Sequence, residues 1–225
     1  MKVYIIHGWI YDLSRWEKVV KSLKKQDIEA ELLPVPGLTE PSERVWTIKN
    51  YASWANHNIP DGAIALGHSN GGRILLNLLS DNPKKLGGLI LLGSAGIYEP
   101  SSKRSALRLA SKTLAPLKRV KPLRKLVHKS VGASDYEQAP ENMKHTLHNM
   151  IESDKQLDPS KITTPTHIIW GAADTITPLK HGKKLHQSIK NSKFIVKEDW
   201  PHAPYLETPE ELAKVIAESV KELST

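Results

Sequence analysis

The feature that most restricts the fold of this 225-residue chain is a regular alternation of short apolar runs with helical patterns. The six apolar runs are Val3–Ile6, Ala30–Leu33, Ala63–Leu66, Leu89–Leu92, His167–Trp170 and Phe194–Val196. The helical patterns are Trp16–Lys25, Ile48–Asn56, Gly72–Ser80, Leu179–Ile189 and Pro209–Leu223. Several runs are continuously apolar, as expected of strands buried on both faces of a parallel sheet. The alternation therefore predicts an α/β fold with right-handed crossovers.

One interval interrupts the alternation. Residues 97–161 contain no convincing strand, only helical segments separated by prolines. An insertion of this kind between two strands is expected to cover the carboxyl edge of the sheet, where open α/β sheets bind ligands. We therefore expect a core formed by residues 1–96 and 162–225 and a helical cap formed by residues 97–161.

The composition is that of a soluble globular protein, with 39% hydrophobic and 25% charged residues. No run approaches the roughly 20 apolar residues that cross a bilayer, and the first apolar run is too short for the core of a signal peptide. The chain has no cysteine, which excludes disulfides, a thiolate nucleophile and cysteine-ligated zinc. A cytoplasmic location is the resulting expectation.

The net charge of +8 is concentrated in one segment. Residues 101–130 contain ten lysines and arginines and no acidic residue, whereas the rest of the chain has 22 basic and 24 acidic residues, a net charge of −2. We therefore expect no general nucleic-acid-binding surface. The basic segment is interpreted as a cap helix with solvated charges. The alternatives are that it attracts an anionic substrate or attaches to an anionic membrane surface.

A serine between glycines stands at a predicted turn from strand to helix, in the segment Gly67-His68-Ser69-Asn70-Gly71-Gly72. This context is typical of a nucleophile elbow, whose strained backbone exposes the hydroxyl. The glycines at positions 67 and 71 let strand and helix approach each other closely. Ser69 is therefore the candidate nucleophile, and the alternative is a purely structural glycine turn.

A serine hydroxyl becomes a nucleophile beside a base that a carboxylate orients. Asp174 follows the fifth apolar run, and His202 follows the sixth. Because parallel strands end at one edge of the sheet, we expect Ser69, Asp174 and His202 to meet there, in the chain order Ser, Asp, His. The alternatives are that Asp174 caps the helix beginning near Leu179, or that Asp199 provides the carboxylate.

Acyl transfer also needs two backbone N–H donors for the oxyanion. Asn70, directly after the candidate nucleophile, is one candidate, and Trp9, in the turn His7-Gly8-Trp9 after the first apolar run, is the other. His145 and His148 have helical i, i+3 spacing, but no further ligands converge on them. We therefore expect no metal site.

Together these motifs resemble the α/β-hydrolase superfamily, and within it the capped, esterase-like serine hydrolases. HGW is similar to their oxyanion turn, GHSNGG to their elbow, IIWGAADTITP to their acid loop and PHAPYLETPEEL to their histidine loop and final helix. The likeness extends from about Val3 to Leu223. It implies a mostly parallel sheet of about six strands with helices on both faces and a helical cap. It also implies a Ser-His-Asp mechanism without a cofactor.

The sequence departs from the superfamily pattern in three places. It begins at the strand that the family counts as its third, so we expect the N-terminal hairpin to be absent. The loop that commonly reads Asp-x-Pro-Gly-x-Gly-x-Ser corresponds to Pro34–Ser42, which lacks the Asp and the second Gly. Asn70 occupies a site that is more often apolar. These departures leave the candidate triad intact and bear on the substrate.

The expected function is hydrolysis of small-molecule carboxylic esters with small or medium acyl groups, through an acyl-enzyme on Ser69. A thioesterase, a lactonase or a hydrolase of carbon–carbon bonds would use the same groups. A function of another class is a non-catalytic binding protein on this fold, with the basic segment 101–130 as its interaction surface.

Overall fold

The computed structural model describes residues 1–98 and 139–225. The strands are β1 (Lys2–Ile6), β2 (Glu29–Leu32), β3 (Ala63–His68), β4 (Leu86–Leu92), β5 (Thr166–Gly171) and β6 (Ser192–Lys197). They form one sheet in the order β2-β1-β3-β4-β5-β6, and every neighbouring pair is parallel. All six predicted strands are confirmed, and β2 and β6 are the edges.

Helices follow the strands on both sides of the sheet. In the described residues they are α1 (Glu17–Lys24), α2 (Ile48–Asn58), α3 (Asn70–Asp81), α4 (Glu141–Ser153), α5 (Leu179–Ser188), α6 (Pro204–Glu207) and α7 (Pro209–Leu223). Short 3₁₀ turns span Leu13–Trp16 and Pro159–Lys161. The sequence predicts α3 from Gly72, but the helix begins at Asn70, directly after Ser69. This earlier start places the first backbone N–H groups of α3 next to the serine.

Each face of the sheet carries one apolar core. On one face, Ala65 and Leu91 pack with buried side chains of α2, α3 and α5. On the other face, Leu66 and Ile90 pack with buried side chains of α1 and α7. Neighbouring residues of β3 thus enter opposite cores, which explains why its run is continuously apolar. These two layers of helices around a parallel sheet confirm the predicted α/β fold.

Residues 97–98 and 139–161 are the described part of the predicted cap, and α4 is their main element. Helix α4 is bound to the loop that precedes α2. The Trp46 N–H donates to Thr146 Oγ1 at 2.9 Å, and Asn142 Nδ2 donates to the Ser42 carbonyl at 3.0 Å. The basic segment 101–130 lies outside the described residues, and the boundaries of the cap stay a prediction. Among the described helices, none has the length and apolar character needed to cross a membrane.

Candidate active site

Ser69 occupies a strained turn between β3 and α3. Its backbone has φ 52° and ψ −116°, a region that residues with a side chain rarely adopt. The Ser69 N–H donates to the Leu92 carbonyl at 3.1 Å, and the Ser69 carbonyl accepts the Ala95 N–H at 3.0 Å. Because β4 and the loop after it hold the turn from both sides, the strained conformation is maintained at the carboxyl edge of the sheet.

Two of the glycines in the turn, Gly67 and Gly71, are required by close backbone approach. A Cβ at Gly67 would lie 2.5 Å from the Gly72 nitrogen, and one at Gly71 would lie 2.0 Å from the Ile6 carbonyl oxygen. Either distance is a severe overlap with backbone, which cannot rotate away as a side chain can. The glycines therefore let α3 start against the ends of β1 and β3, with Ser69 at the apex.

His202 and Asp174 form a buried imidazole–carboxylate pair on the loops after β6 and β5. His202 Nδ1 donates to Asp174 Oδ2 at 2.8 Å. The Asp174 side chain is 1% exposed, and the His202 side chain is 11% exposed. With the proton on Nδ1, the neutral ring presents an unprotonated Nε2, the atom that a general base needs.

The Asp174 carboxylate accepts hydrogen bonds at both oxygens. Oδ1 accepts the N–H groups of Ile176 at 2.8 Å and Thr177 at 2.9 Å, and Oδ2 accepts the Thr177 hydroxyl at 2.7 Å. Burial alone would raise the pKa of the Asp174 carboxyl, but hydrogen bonds from His202 and Thr177, with the charge of His202, outweigh it. The pKa of Asp174 is held below its ordinary value, so the group is an anion at neutral pH.

The alternative interpretations of this loop do not match the geometry. Helix α5 begins with Pro178 at its N-cap and has no side-chain cap bond, so Asp174 does not cap it. Asp199 is exposed, whereas the carboxylate in contact with His202 is that of Asp174.

His68 connects the serine turn to the histidine loop. It is 2% exposed, and its Nε2 donates to the His202 carbonyl at 2.8 Å. Burial, with a smaller effect from His202, lowers the pKa of His68 to about 3, so the ring is neutral and Nε2–H is the donor. The residue before Ser69 therefore fixes the backbone of His202.

The turn His7-Gly8-Trp9 lies directly against Ser69. A Cβ at Gly8 would be 3.0 Å from the Ser69 Cβ. The Thr39 hydroxyl accepts the Val35 N–H at 2.9 Å. His7 Nδ1 donates to the Gly8 carbonyl at 2.7 Å, so Nε2 of the neutral ring accepts the proton of the Thr39 hydroxyl at 2.8 Å. Burial outweighs a backbone hydrogen bond and lowers the pKa of His7 to about 4. A neutral histidine and Thr39 therefore hold the turn beside the serine.

Sequence reasoning did not identify three contributors to this arrangement. Thr177 follows Asp174 by three residues, and the pattern Asp-x-x-Thr is a signal that could have revealed its hydrogen bonds to the carboxylate. The bond between His68 and the His202 backbone joins residues 134 positions apart, and the ion pair of Arg73 with Asp154 joins residues 81 positions apart. No local spacing marks such long-range partners.

Comparisons with known proteins agree with this architecture. The family model for serine aminopeptidases of family S33 matches residues 1–209. The uncharacterised hydrolase YugF of Bacillus subtilis (strain 168) is 29% identical, covering 96% of this chain and 88% of its own length. The pimeloyl-[acyl-carrier protein] methyl ester esterase of Neisseria meningitidis serogroup B is 26% identical, covering 98% of this chain and 93% of its own length.

Solved structures show the same fold at low sequence identity. An esterase from Exiguobacterium antarcticum has a TM-score of 0.71 at 21% identity, covering 98% of this chain and 92% of that chain. An α/β-hydrolase enzyme from the sediment metagenome of the Mar Chica lagoon in Morocco has a TM-score of 0.69 at 20% identity, covering 100% of this chain and 92% of that one. With a family model that spans most of the sequence, the chain is an enzyme that belongs to the serine aminopeptidase S33 family of α/β-hydrolases.

Proposed function

We propose that this enzyme hydrolyses carboxylic esters of small or medium acyl groups, with Ser69, His202 and Asp174 as its catalytic triad. The observation that carries the proposal is the buried hydrogen bond between His202 and Asp174. The His202 backbone is also hydrogen-bonded to His68, the residue that precedes the strained Ser69. A relative named as a methyl ester esterase supports an ester as the substrate.

Acylation begins when His202 Nε2 removes the proton from the Ser69 hydroxyl as its oxygen attacks the acyl carbon. The carbonyl oxygen gains negative charge and accepts hydrogen bonds from the N–H groups of Trp9 and Asn70. The N-terminus of α3 adds a favourable dipole at the same place. Collapse of the intermediate breaks the ester bond, and His202 donates its proton to the departing alcohol.

Deacylation repeats these steps with water. His202 removes a proton from the water molecule as it attacks the acyl-Ser69 ester, and Ser69 then regains a proton as the acid leaves. Asp174 keeps the imidazole in the tautomer that presents Nε2, and its negative charge stabilises the imidazolium formed in each half-reaction. Its low pKa keeps it ionised throughout.

The test of this proposal is a series of p-nitrophenyl esters from acetate to laurate, assayed on wild type and Ser69→Ala. Removal of the nucleophile should reduce kcat by ~10³-fold or more. Ser53→Ala, on the exposed surface of α2, is the matched control and should retain full activity. Equal rates for Ser69→Ala and wild type would contradict the assignment.

Parallel assays separate the other bond types that this site could cleave. Matched thioesters, lactones and amino-acid p-nitroanilides share the acyl carbonyl, and the family description makes the anilides an essential arm. Ester hydrolysis with the highest kcat/KM supports the proposal, and faster anilide cleavage would replace it with a peptidase function. Labelling by a fluorophosphonate, lost in Ser69→Ala, separates an enzyme from a non-catalytic binding protein.

A further inference from the structure

A buried ion pair joins the start of α3 to the end of α4. Arg73 Nε donates to Asp154 Oδ1 at 2.7 Å, and Nη2 donates to Oδ2 at 2.9 Å. The side chains of Arg73 and Asp154 are 7% and 3% exposed. The remaining nitrogen, Nη1, donates to Oδ1 of Asn70. The Arg73 guanidinium therefore connects Asn70, the residue after Ser69, with α4. Helix α4 is the last helix of the inserted segment before the chain returns to the sheet.

Neither charge of this pair suits its own helix. Arg73 lies in the first turn of α3, where the positive end of the helix dipole disfavours a cation. Asp154 is the C-cap of α4, where the negative end disfavours a carboxylate. Local helix stability therefore explains neither residue. Within residues 1–98 and 139–225, each charge is compensated across the contact between the two helices.

The stability of the whole fold also fails to explain this ion pair, because both of its side chains are buried. A buried ion pair loses so much hydration that apolar residues of similar volume often serve stability as well or better. A bidentate arginine–carboxylate contact differs from an apolar contact because it fixes both distance and angle. The Asn70 side chain, itself buried, accepts the third donor of the same rigid guanidinium, so its position follows from that of Asp154.

We propose that Arg73 and Asp154 are positioning residues for the oxyanion hole, acting through the side chain of Asn70. The inference rests on the proposed function, in which the Asn70 N–H binds the oxyanion. The hydrogen bond from Arg73 to the Asn70 side chain sets the direction of the Asn70 N–H. Because Asp154 holds Arg73, the placement of this N–H depends on α4. Oxyanion stabilisation is sensitive to such placement because the donors must match the charge that develops in the transition state.

Two variants break the connection in different ways. Asn70→Ala keeps the ion pair and its own backbone N–H but removes the acceptor of Arg73 Nη1. The double variant Arg73→Met with Asp154→Leu replaces the ion pair by an apolar contact, which preserves packing. Glu141→Gln, at an exposed acidic position of the same helix α4, is the matched control.

The measurements are kcat and KM on the best p-nitrophenyl ester, the thermal midpoint, and amide hydrogen exchange of residues 67–75. For both variants we expect kcat to fall about 10-fold at unchanged KM, exchange of residues 67–75 to accelerate several-fold, and a thermal midpoint close to that of wild type. A merely structural role would lower the thermal midpoint and leave kcat per folded molecule unchanged. The Glu141→Gln enzyme should match wild type in every measurement.

Variants with wild-type exchange at residues 67–75, or with wild-type kcat per folded molecule, would overturn the inference. If the double variant fails to fold, Asn70→Ala alone decides it, because that change leaves the ion pair in place. The exchange measurement does not depend on turnover. An inactive wild type would therefore refute the proposed function, while unchanged exchange in the variants would separately refute the connection through Arg73.

Discussion

Thr177 contacts both His202 and Asp174 through one hydroxyl. Its Oγ1 lies 2.7 Å from Asp174 Oδ2 and 3.1 Å from His202 Nδ1, and it also reaches the Gly93 carbonyl at 3.0 Å. Gly93 directly follows the last residue of β4, so this contact lies between the acid loop and a neighbouring strand of the sheet. At the residue scale, the geometry of the pair therefore depends on a side chain outside the triad.

Replacing Thr177 by valine keeps the shape and removes the hydroxyl. The pKa of Asp174 should then rise, because one of the hydrogen bonds that lower it is lost. The carboxylate would also lose one of the contacts that hold it against His202, so kcat/KM at neutral pH should fall about 10-fold. Thr177→Ser retains the hydroxyl and should keep the wild-type kcat/KM. Equal kcat/KM for Thr177→Val and Thr177→Ser would refute this role.

His7 and His68 give the fold its own pH dependence. Burial lowers their pKa values from 6.5 to about 4 and about 3. Both groups are neutral when folded, whereas the unfolded chain binds protons below about pH 6.5. The free energy of unfolding should therefore decrease as the pH falls, by roughly 3 kcal/mol between pH 7 and pH 5.

Urea unfolding at both pH values measures this loss of stability. Between pH 7 and pH 8 the two histidines are neutral in the folded state and mostly neutral in the unfolded state, so together they should contribute only about 0.3 kcal/mol. Equal stability at pH 5 and pH 7 would contradict the neutral, buried assignment of these rings.

The placement of the candidate triad residues after the ends of strands could be predicted because each follows a recognisable apolar run, and the same holds for the turn His7-Gly8-Trp9. The network around them could not. Asp154 becomes the partner of Arg73 only when α4 packs on α3, and His68 meets the His202 carbonyl only when β3 and the loop after β6 meet at one edge. Such contacts depend on tertiary packing, which hydrophobic periodicity does not encode.

At the scale of elements, the site depends on how closely α3 approaches the sheet. The position of Gly71 leaves no room for a methyl group, since its Cβ would lie 2.0 Å from the Ile6 carbonyl oxygen. The contact joins the first turn of α3 to the end of β1, the strand that leads into the turn His7-Gly8-Trp9. The distance between Ser69 and that turn is therefore set by backbone packing.

Gly71→Ala should lower the free energy of unfolding by about 3 kcal/mol and abolish ester hydrolysis, because the helix must shift to accept the methyl group. Gly62→Ala is a suitable comparison: nothing lies within 4 Å of its Cβ, but its φ is +74°. Backbone strain alone should lower the free energy of unfolding of Gly62→Ala by about 1 kcal/mol. Urea unfolding of both variants tests the ranking, and a Gly71→Ala protein as stable as Gly62→Ala would show that the helix has room to move.

The first and last residues of the helices and strands were less predictable than the presence of these elements along the chain. The helix around Trp16 begins as a 3₁₀ turn capped by Asp12, whose carboxylate accepts the Ser14 N–H at 2.9 Å, and α1 itself starts at Glu17. Strand β4 extends back to Leu86 through Gly87 and Gly88, which have no side chains to show a pattern. The short α6 has only four residues, too few for a periodic signal. Local capping and backbone pairing decide these ends.

At the scale of the whole molecule, charge is distributed very unevenly. The basic segment 101–130 accounts for the positive net charge, and the rest of the chain is close to neutral. The segment belongs to the insertion between β4 and β5, the strands whose carboxyl ends flank the candidate site. A long-range field from it would attract anionic molecules, and salt screens such a field.

Esters that carry a free carboxylate should therefore be hydrolysed with a kcat/KM that decreases several-fold from low to high salt. Neutral esters of the same chain length should show little change. Matched p-nitrophenyl esters of a dicarboxylic and a monocarboxylic acid measure the difference directly. The same salt dependence for both would indicate that the basic segment has no role in attracting the substrate.

The ion pair between Arg73 and Asp154 also bears on how enzymes of this kind could be recombined. A chimera that receives the cap of a relative would conventionally be cut where the cap meets the sheet, which would replace α4 and remove Asp154. The hydrogen bonds that connect α4 with the serine turn indicate different junctions, one directly after Tyr98 and one directly before Ala139. A graft limited to residues 99–138 would exchange most of the insertion and keep α4, with Asp154 still bound to Arg73.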